Sequence, residues 1–230
     1  MTHLLSKSKY IRGLQCERAL WLDVHEPRLA RYTAEQMRRF DLGRDFEYAF
    51  KSRFPGGIDL SAELGRNVDL YPARTAELLD KGDDVALFEA GFLYDDVLVL
   101  ADVVQQREDG TLDIYEVKSG TTLSDTYRRD AALQHYVISH CRTVHSFSIV
   151  YNGVDGENGI NGQDGPFAIV DLTEELAAEG DRIATNIAEM KTIVRATAEP
   201  DTPTGQHCLT PYACPYQYHC QQGVRQLSLF

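Results

Sequence analysis

No apolar run in the 230-residue chain approaches the roughly eighteen residues that a membrane-crossing helix requires. Basic residues are also scarce, with 23 Lys and Arg against 35 Asp and Glu and a net charge of −12. That balance argues against a protein that coats nucleic acid, because such affinity comes largely from Lys and Arg neutralising phosphates. It does not exclude chemistry on a phosphodiester, since a cleft can be locally basic and a bound metal ion adds positive charge where it is needed. Lys7, Lys9 and Arg12 interrupt any apolar core of a secretory signal, so a cytoplasmic location without a membrane partner is expected. Disulfides are rare in that compartment, and five cysteines there point to metal binding or redox chemistry instead. No internal repeat is present. The length suits one substantial core, and a single unit over 1–230 is expected.

Helical patterning is expected from Ser6 to about Leu22, from Ala34 to Phe54 and from Ala73 to Leu79. Lys7, Lys9, Arg12 and Arg18 give the first of these a basic face. Three strand-like runs follow, Val85–Tyr94, Val97–Gln106 and Leu112–Lys118, which read as an antiparallel meander. A helix from Ser124 or Asp125 to about Ser139 and a strand over His145–Tyr151 complete an α/β core. Residues Asn152 to Pro166 are rich in Gly, Asn and Asp and are expected as an exposed loop, not a calcium loop. Phe167–Asp171 reads as an edge strand, and Thr173 opens a helix to about Ala198.

The hairpin between the second and third runs decides whether the acidic residues cooperate. A two-residue Asp109-Gly110 turn would put Asp102 and Glu116 on opposite faces. A three-residue loop, Glu108-Asp109-Gly110 with Gly110 left-handed, pairs Arg107 with Thr111 and sets Asp102 opposite Glu116, with Lys118 on the same face. Three charges then close an otherwise apolar face. Such groups must pair, meet water or bind metal, because burying a lone charge costs several kcal/mol; a plain ion-pair network at a sheet edge meets the same demand. Two carboxylates and a lysine suit phosphodiester hydrolysis with Mg²⁺ or Mn²⁺ on the carboxylate oxygens. Glu47, Asp45 and Glu89 are candidates for a further acid.

Cys16 lies near the start of the chain and Cys208, Cys214 and Cys220 near its end, as a Cys-x5-Cys-x5-Cys tail. Four thiolates suit either tetrahedral zinc or a 4Fe-4S cluster. Cys141 stands apart and is expected as a small buried apolar residue. His135, His140 and His145 are not expected to share a metal. Trp21 is expected in the core, while Tyr10 and Tyr32 could contact a nucleic-acid strand.

Asp102 with Glu116-Val117-Lys118, followed by Gln134 and Tyr136, resembles the PD-(D/E)XK nuclease superfamily in its RecB-like branch. Leu14-Gln15-Cys16 together with Cys208, Cys214-Pro215-Tyr216 and Cys220 resembles the 4Fe-4S clasp of AddB-type helicase-nucleases and CRISPR-adaptation exonucleases. Leu5-Ser6-Lys7-Ser8-Lys9-Tyr10 and Phe54-Pro55-Gly56-Gly57 are similar to uncharacterised bacterial proteins of that clade. Related nucleases often carry a His four residues after a Gly in the first motif, and counting from Gly43 that place holds Glu47.

The resemblance implies a restriction-endonuclease-like α/β core over about 33–198, a mixed central sheet flanked by helices, and segments 6–25 and 200–222 joined at an iron-sulfur cluster. It implies divalent-metal-dependent DNA hydrolysis, exonucleolytic on single-stranded ends, alongside a helicase or CRISPR-adaptation partner. Asp102, Glu116, Glu47 and Glu89 would hold the metal, Lys118 would activate water or steady charge, Gln134 would support the site, and Cys16, Cys208, Cys214 and Cys220 would hold the cluster. The alternative is a noncatalytic iron-sulfur DNA-binding or adaptor module.

Overall fold

The computed structural model describes residues 4–82, 84–153 and 166–227. In chain order the elements are β1 (Leu5–Ser6), α1 (Lys7–Gln15), α2 (Glu17–His25), α3 (Ala34–Lys51), β2 (Ile58–Asp59), α4 (Leu60–Leu64) and α5 (Tyr71–Asp80), then β3 (Ala86–Tyr94), β4 (Val97–Gln106), β5 (Leu112–Lys118) and α6 (Asp125–Ser139), and last β6 (Val144–Asn152), β7 (Phe167–Asp171), α7 (Thr173–Ala177), α8 (Gly180–Arg195) and α9 (Gln217–Leu227). The chain divides into two compact units. One comprises Met1–Lys7 with Arg39–Ile183, the other Ser8–Arg38 with Ala184–Phe230.

The first unit is a mixed α/β fold around a seven-stranded sheet. Six strands follow the order β2-β3-β4-β5-β6-β7, and β1 pairs in parallel with the start of β4 through Leu5↔Val97 and Ser6↔Leu98. Strands β3, β4 and β5 form the expected antiparallel meander. β5 and β6 are parallel, as a crossover through a helix permits, and β7 is an antiparallel edge strand. Apolar residues of β4, β5 and β6 are almost fully buried, the composition expected of strands covered on both faces. Phe50 packs with Phe88, Val103, Val117, Val150 and Phe167, and Phe46 and Phe54 join the same cluster. At β3, a Cβ on Gly91 would stand 2.4 Å from Tyr71 Cβ, so glycine permits the close approach of α5.

The loop after β4 takes the three-residue form. Arg107 N donates to Thr111 O at 2.9 Å, Gly110 has φ +81°, and the ladder runs Val103↔Tyr115, Val104↔Ile114, Gln105↔Asp113. Continued by one residue, this register sets Asp102 opposite Glu116. Ser124 caps α6 by accepting from Tyr127 N.

In the second unit, the helix expected from Ser6 is two helices. Cys16 is extended at φ −166° and ψ 125° and stands between α1 and α2, while the Gln15 amide donates to His207 O at 2.8 Å and Tyr212 O at 2.7 Å. A Cβ on Gly13 would meet Met190 Sδ at 2.7 Å, which seats α1 tightly against α8. Ala19, Trp21, Leu22, Tyr216 and Cys220 form a buried cluster, so Trp21 is core, and its indole donates to Ala196 O at 2.9 Å. Tyr10 is fully buried and its hydroxyl accepts from Asn186 at 2.9 Å, which removes it as a contact for a nucleic-acid strand. The basic face is also not bare, since Arg12 pairs with Asp23 and Arg18 with Glu199.

Other departures are local. The helix expected over 173–198 breaks after α7, beside Gly180, a poor helix former. Short strands β1 and β2 fall below the length at which alternation is readable. Cys141 is exposed, not buried, because it follows the end of α6 in the turn before β6. The Gly-rich stretch at 154–165 lies outside the described residues.

Candidate active site in the first unit

Asp102 on β4 and Glu116 and Lys118 on β5 come together as the register requires. Asp102 Oδ2 accepts from Val117 N at 2.6 Å, and Glu116 Oε1 accepts from Lys118 Nζ at 2.5 Å. Two residues that sequence reasoning missed complete the group. Lys7, held at the β1–α1 junction, donates to Glu116 Oε1 at 2.8 Å, and Asp130 of α6 accepts from Lys118 at 2.5 Å. Asp130 lies four residues before Gln134, one helical turn along the same face, so i,i+4 spacing was a signal available for it. Lys7 had none, because only the two-residue β1 pairing brings it here.

Gln134 is fully buried, but both of its amide atoms lack a hydrogen-bond partner. The helical contact to Lys118 comes from Asp130, one turn before Gln134. Glu116 Oε2 and Asp130 Oδ1 are likewise buried and unpartnered. Glu116 is 1% exposed, so an oxygen left without a donor there costs several kcal/mol unless something outside the chain meets it.

Glu47, Glu89 and Asp102 place one carboxylate oxygen each within 4.8 Å of one another. Lys51 pairs with both Glu47 and Glu89, at 2.8 Å to the latter. Three of the four expected metal ligands therefore converge, and Glu116 joins them through the strand register without entering the 4.8 Å group. Asp45, on the same helix as Glu47, is exposed. Glu89 has φ +54°, a left-handed conformation that costs an ordinary residue about 1–2 kcal/mol. The ladder passes from Phe88↔Val103 to Ala90↔Ala101 without pairing Glu89 to Asp102.

Burial pushes Asp102 well above the usual carboxylate range, and the Glu116 charge adds to it. Burial opposes the charge on Glu116 too, but Lys118 and Lys7 prevail and hold it below that range. The Lys118 ammonium loses hydration, yet Asp130, Glu116 and Asp102 keep its pKa well above the ordinary value. Burial raises Glu89 against the pull of Lys51. Carboxylates driven apart in proton affinity within one cluster occur at metal and acid-base sites and in structural ion-pair networks alike. The donors are all hard oxygens, which fits Mg²⁺ or Mn²⁺ and not a soft metal.

The second unit holds Cys16, Cys208, Cys214 and Cys220. Cys208 and Cys220 are buried, while Cys16 and Cys214 are half-buried. Burial raises Cys16, Cys214 and Cys220, the last to about 11, and the other thiols of the set add to each shift. The four thus share one electrostatic neighbourhood. Among the described residues no three of their sulfurs fall within 4.8 Å of one another, whereas tetrahedral zinc at about 2.3 Å from each sulfur needs them closer than that. Tyr136 meets Tyr94 edge-on and His140 at a tilt, and Tyr94 stacks with His140. His135 is buried, and His140 and His145 are exposed.

No family model matches the chain, and no curated protein does. Among solved structures, the chain described as "Crystal structure of SSO0001" aligns over 81% of this chain and 75% of its own length, with 13% identity and a TM-score of 0.37. That agreement is too loose to transfer residue roles. Among the described residues no helix is long and apolar enough to cross a membrane.

Proposed function

We propose that this protein is a divalent-metal-dependent DNA nuclease of the PD-(D/E)XK type with a restriction-endonuclease-like core. The observation that carries the reading is the buried, unpartnered Glu116 Oε2, beside Asp102 and Lys118 on the two strands where such a site needs them. Asp102, Glu116, Glu47 and Glu89 supply an all-oxygen set for Mg²⁺ or Mn²⁺. When bound, such an ion polarises the phosphate and lowers the pKa of its water. Lys118 contributes a fixed positive charge for the developing phosphate charge. Asp130 holds that ammonium in place.

The four cysteines of the second unit are proposed to hold a 4Fe-4S cluster. Their thiolate chemistry suits iron-sulfur ligation, and the choice of iron rests on the resemblance set out above. Single-stranded DNA with free ends is the proposed substrate, on the resemblance set out above. A noncatalytic role draws support from one observation: Lys7 and Lys118 already bridge Glu116 and Asp130 as a structural ion network would.

The test is anaerobically purified protein incubated with end-labelled single- and double-stranded DNA in Mn²⁺, Mg²⁺ or EDTA, alongside Lys118→Ala. Metal-dependent cleavage reduced at least a hundredfold in the variant is expected. Unchanged cleavage by Lys118→Ala would remove the catalytic assignment, and no cleavage by iron-loaded wild type would favour the noncatalytic module.

A further inference from the structure

Two lysines share one oxygen of Glu116, but they are not equivalent. Lys118 has a second strong acceptor in Asp130 at 2.5 Å, and its side chain is 18% exposed. Lys7 is 28% exposed and stands 3.9 Å from Asp130, while its hydrogen bond goes to Glu116 Oε1 at 2.8 Å. Across the whole site five carboxylates, Glu47, Glu89, Asp102, Glu116 and Asp130, face three ammonium groups, Lys7, Lys51 and Lys118. With every group ionised, the excess of negative charge equals the charge of one divalent cation. Once such a cation shares the Glu116 charge, Lys118 keeps its short contact to Asp130, whereas Lys7 keeps only the longer 3.9 Å approach to it.

We propose that Lys7 is a second phosphate-binding residue of this site, a counter-ion to Glu116 in the metal-free protein that turns to the substrate phosphodiester when a divalent cation binds. The proposal rests on the nuclease reading and adds to it a residue that the D…ExK pattern does not contain. Lys7 is suited to the task because it sits at the solvent side of the cluster, on a lysine stem long enough to exchange partners without backbone movement. It also makes cation and substrate binding mutually supportive: a cation frees the lysine, and a bound phosphate keeps the lysine from competing for Glu116.

The experiment compares wild type, Lys7→Gln and Lys7→Arg, each first shown by thermal melting to be folded. Mn²⁺ affinity is measured without DNA by the electron paramagnetic resonance signal of the free ion. Affinity for end-labelled single-stranded DNA is measured in Ca²⁺, and KM and kcat in Mn²⁺. Lys7→Gln should bind Mn²⁺ as tightly as wild type or several-fold more tightly. Its DNA dissociation constant and KM should rise about tenfold, the loss of one charge-assisted contact, and Lys7→Arg should recover most of that loss. Unchanged DNA affinity in Lys7→Gln, or Mn²⁺ affinity weakened in both variants, would overturn the proposal while leaving wild-type cleavage to support the nuclease reading. Wild type that binds neither Mn²⁺ nor DNA would overturn both.

Discussion

The two units each gather ionisable groups away from water, and they treat charge in opposite ways. In the first, buried carboxylates are met by ammonium groups from three different elements, so much of the charge is offset within the chain. In the second, Cys16, Cys214 and Cys220 are raised by burial and by neighbouring thiols, and Arg12 at Cys214 and Arg18 at Cys220 only partly oppose the shift. A site that carries its own counter-ions can stay folded with its metal removed. Thiols that keep their protons at neutral pH have no such substitute, so the cluster proposed there would be tied to folding. EDTA is therefore expected to act on chemistry, and loss of iron to act on structure.

The most severe test of that contrast is Cys16→Ser. Cys16 is the extended residue between two helices, and removing one of four thiolates should abolish iron retention and lower the melting temperature by roughly ten degrees, a loss of several kcal/mol. Retained iron and unchanged melting would show that the second unit needs no cluster. A smaller effect is expected from Asp130→Asn, which keeps the shape of the side chain but removes the charge that holds Lys118. The kcat for DNA cleavage should fall about tenfold with Mn²⁺ affinity held, and loss of Mn²⁺ binding instead would make Asp130 a ligand.

The smallest effect belongs to a buried group that no acid among the described residues is shown to pair with. His135 is held below its ordinary pKa by burial and then by His140. As pH falls through the unfolded histidine value near 6.5, the unfolded chain takes up a proton that folded His135 resists, so stability declines with acid. His135→Gln should flatten this part of the melting profile between pH 8 and pH 5. A slope unchanged from wild type would assign the acid sensitivity to the carboxylates.

Much of the site was legible because one glycine sets a register. Gly110 permits the three-residue loop, and that loop fixes which face Asp102 shares, since a one-residue slip would invert it. The strands of the meander were equally readable, being long and apolar. What escaped was whatever depends on contacts distant in sequence. Lys7 reaches the acids through a pairing of two residues, too short to leave a periodic signal. Asp130 meets Lys118 from a separate helix, and only its i,i+4 spacing to Gln134 hinted at it. The interruption at Cys16 follows from where Gln15 is drawn by tail carbonyls almost 200 residues away, and no local propensity encodes that.

Glu89 gives the fold a conflict of interest. Its backbone occupies a region where glycine would rest without penalty, while its carboxylate belongs to the acidic trio. A library of variants sorted for heat resistance alone would accordingly enrich glycine at position 89 and discard the ligand with it. Any programme to harden this protein must screen for metal binding at the same step, because here thermal selection and chemistry pull on a single residue in opposite directions.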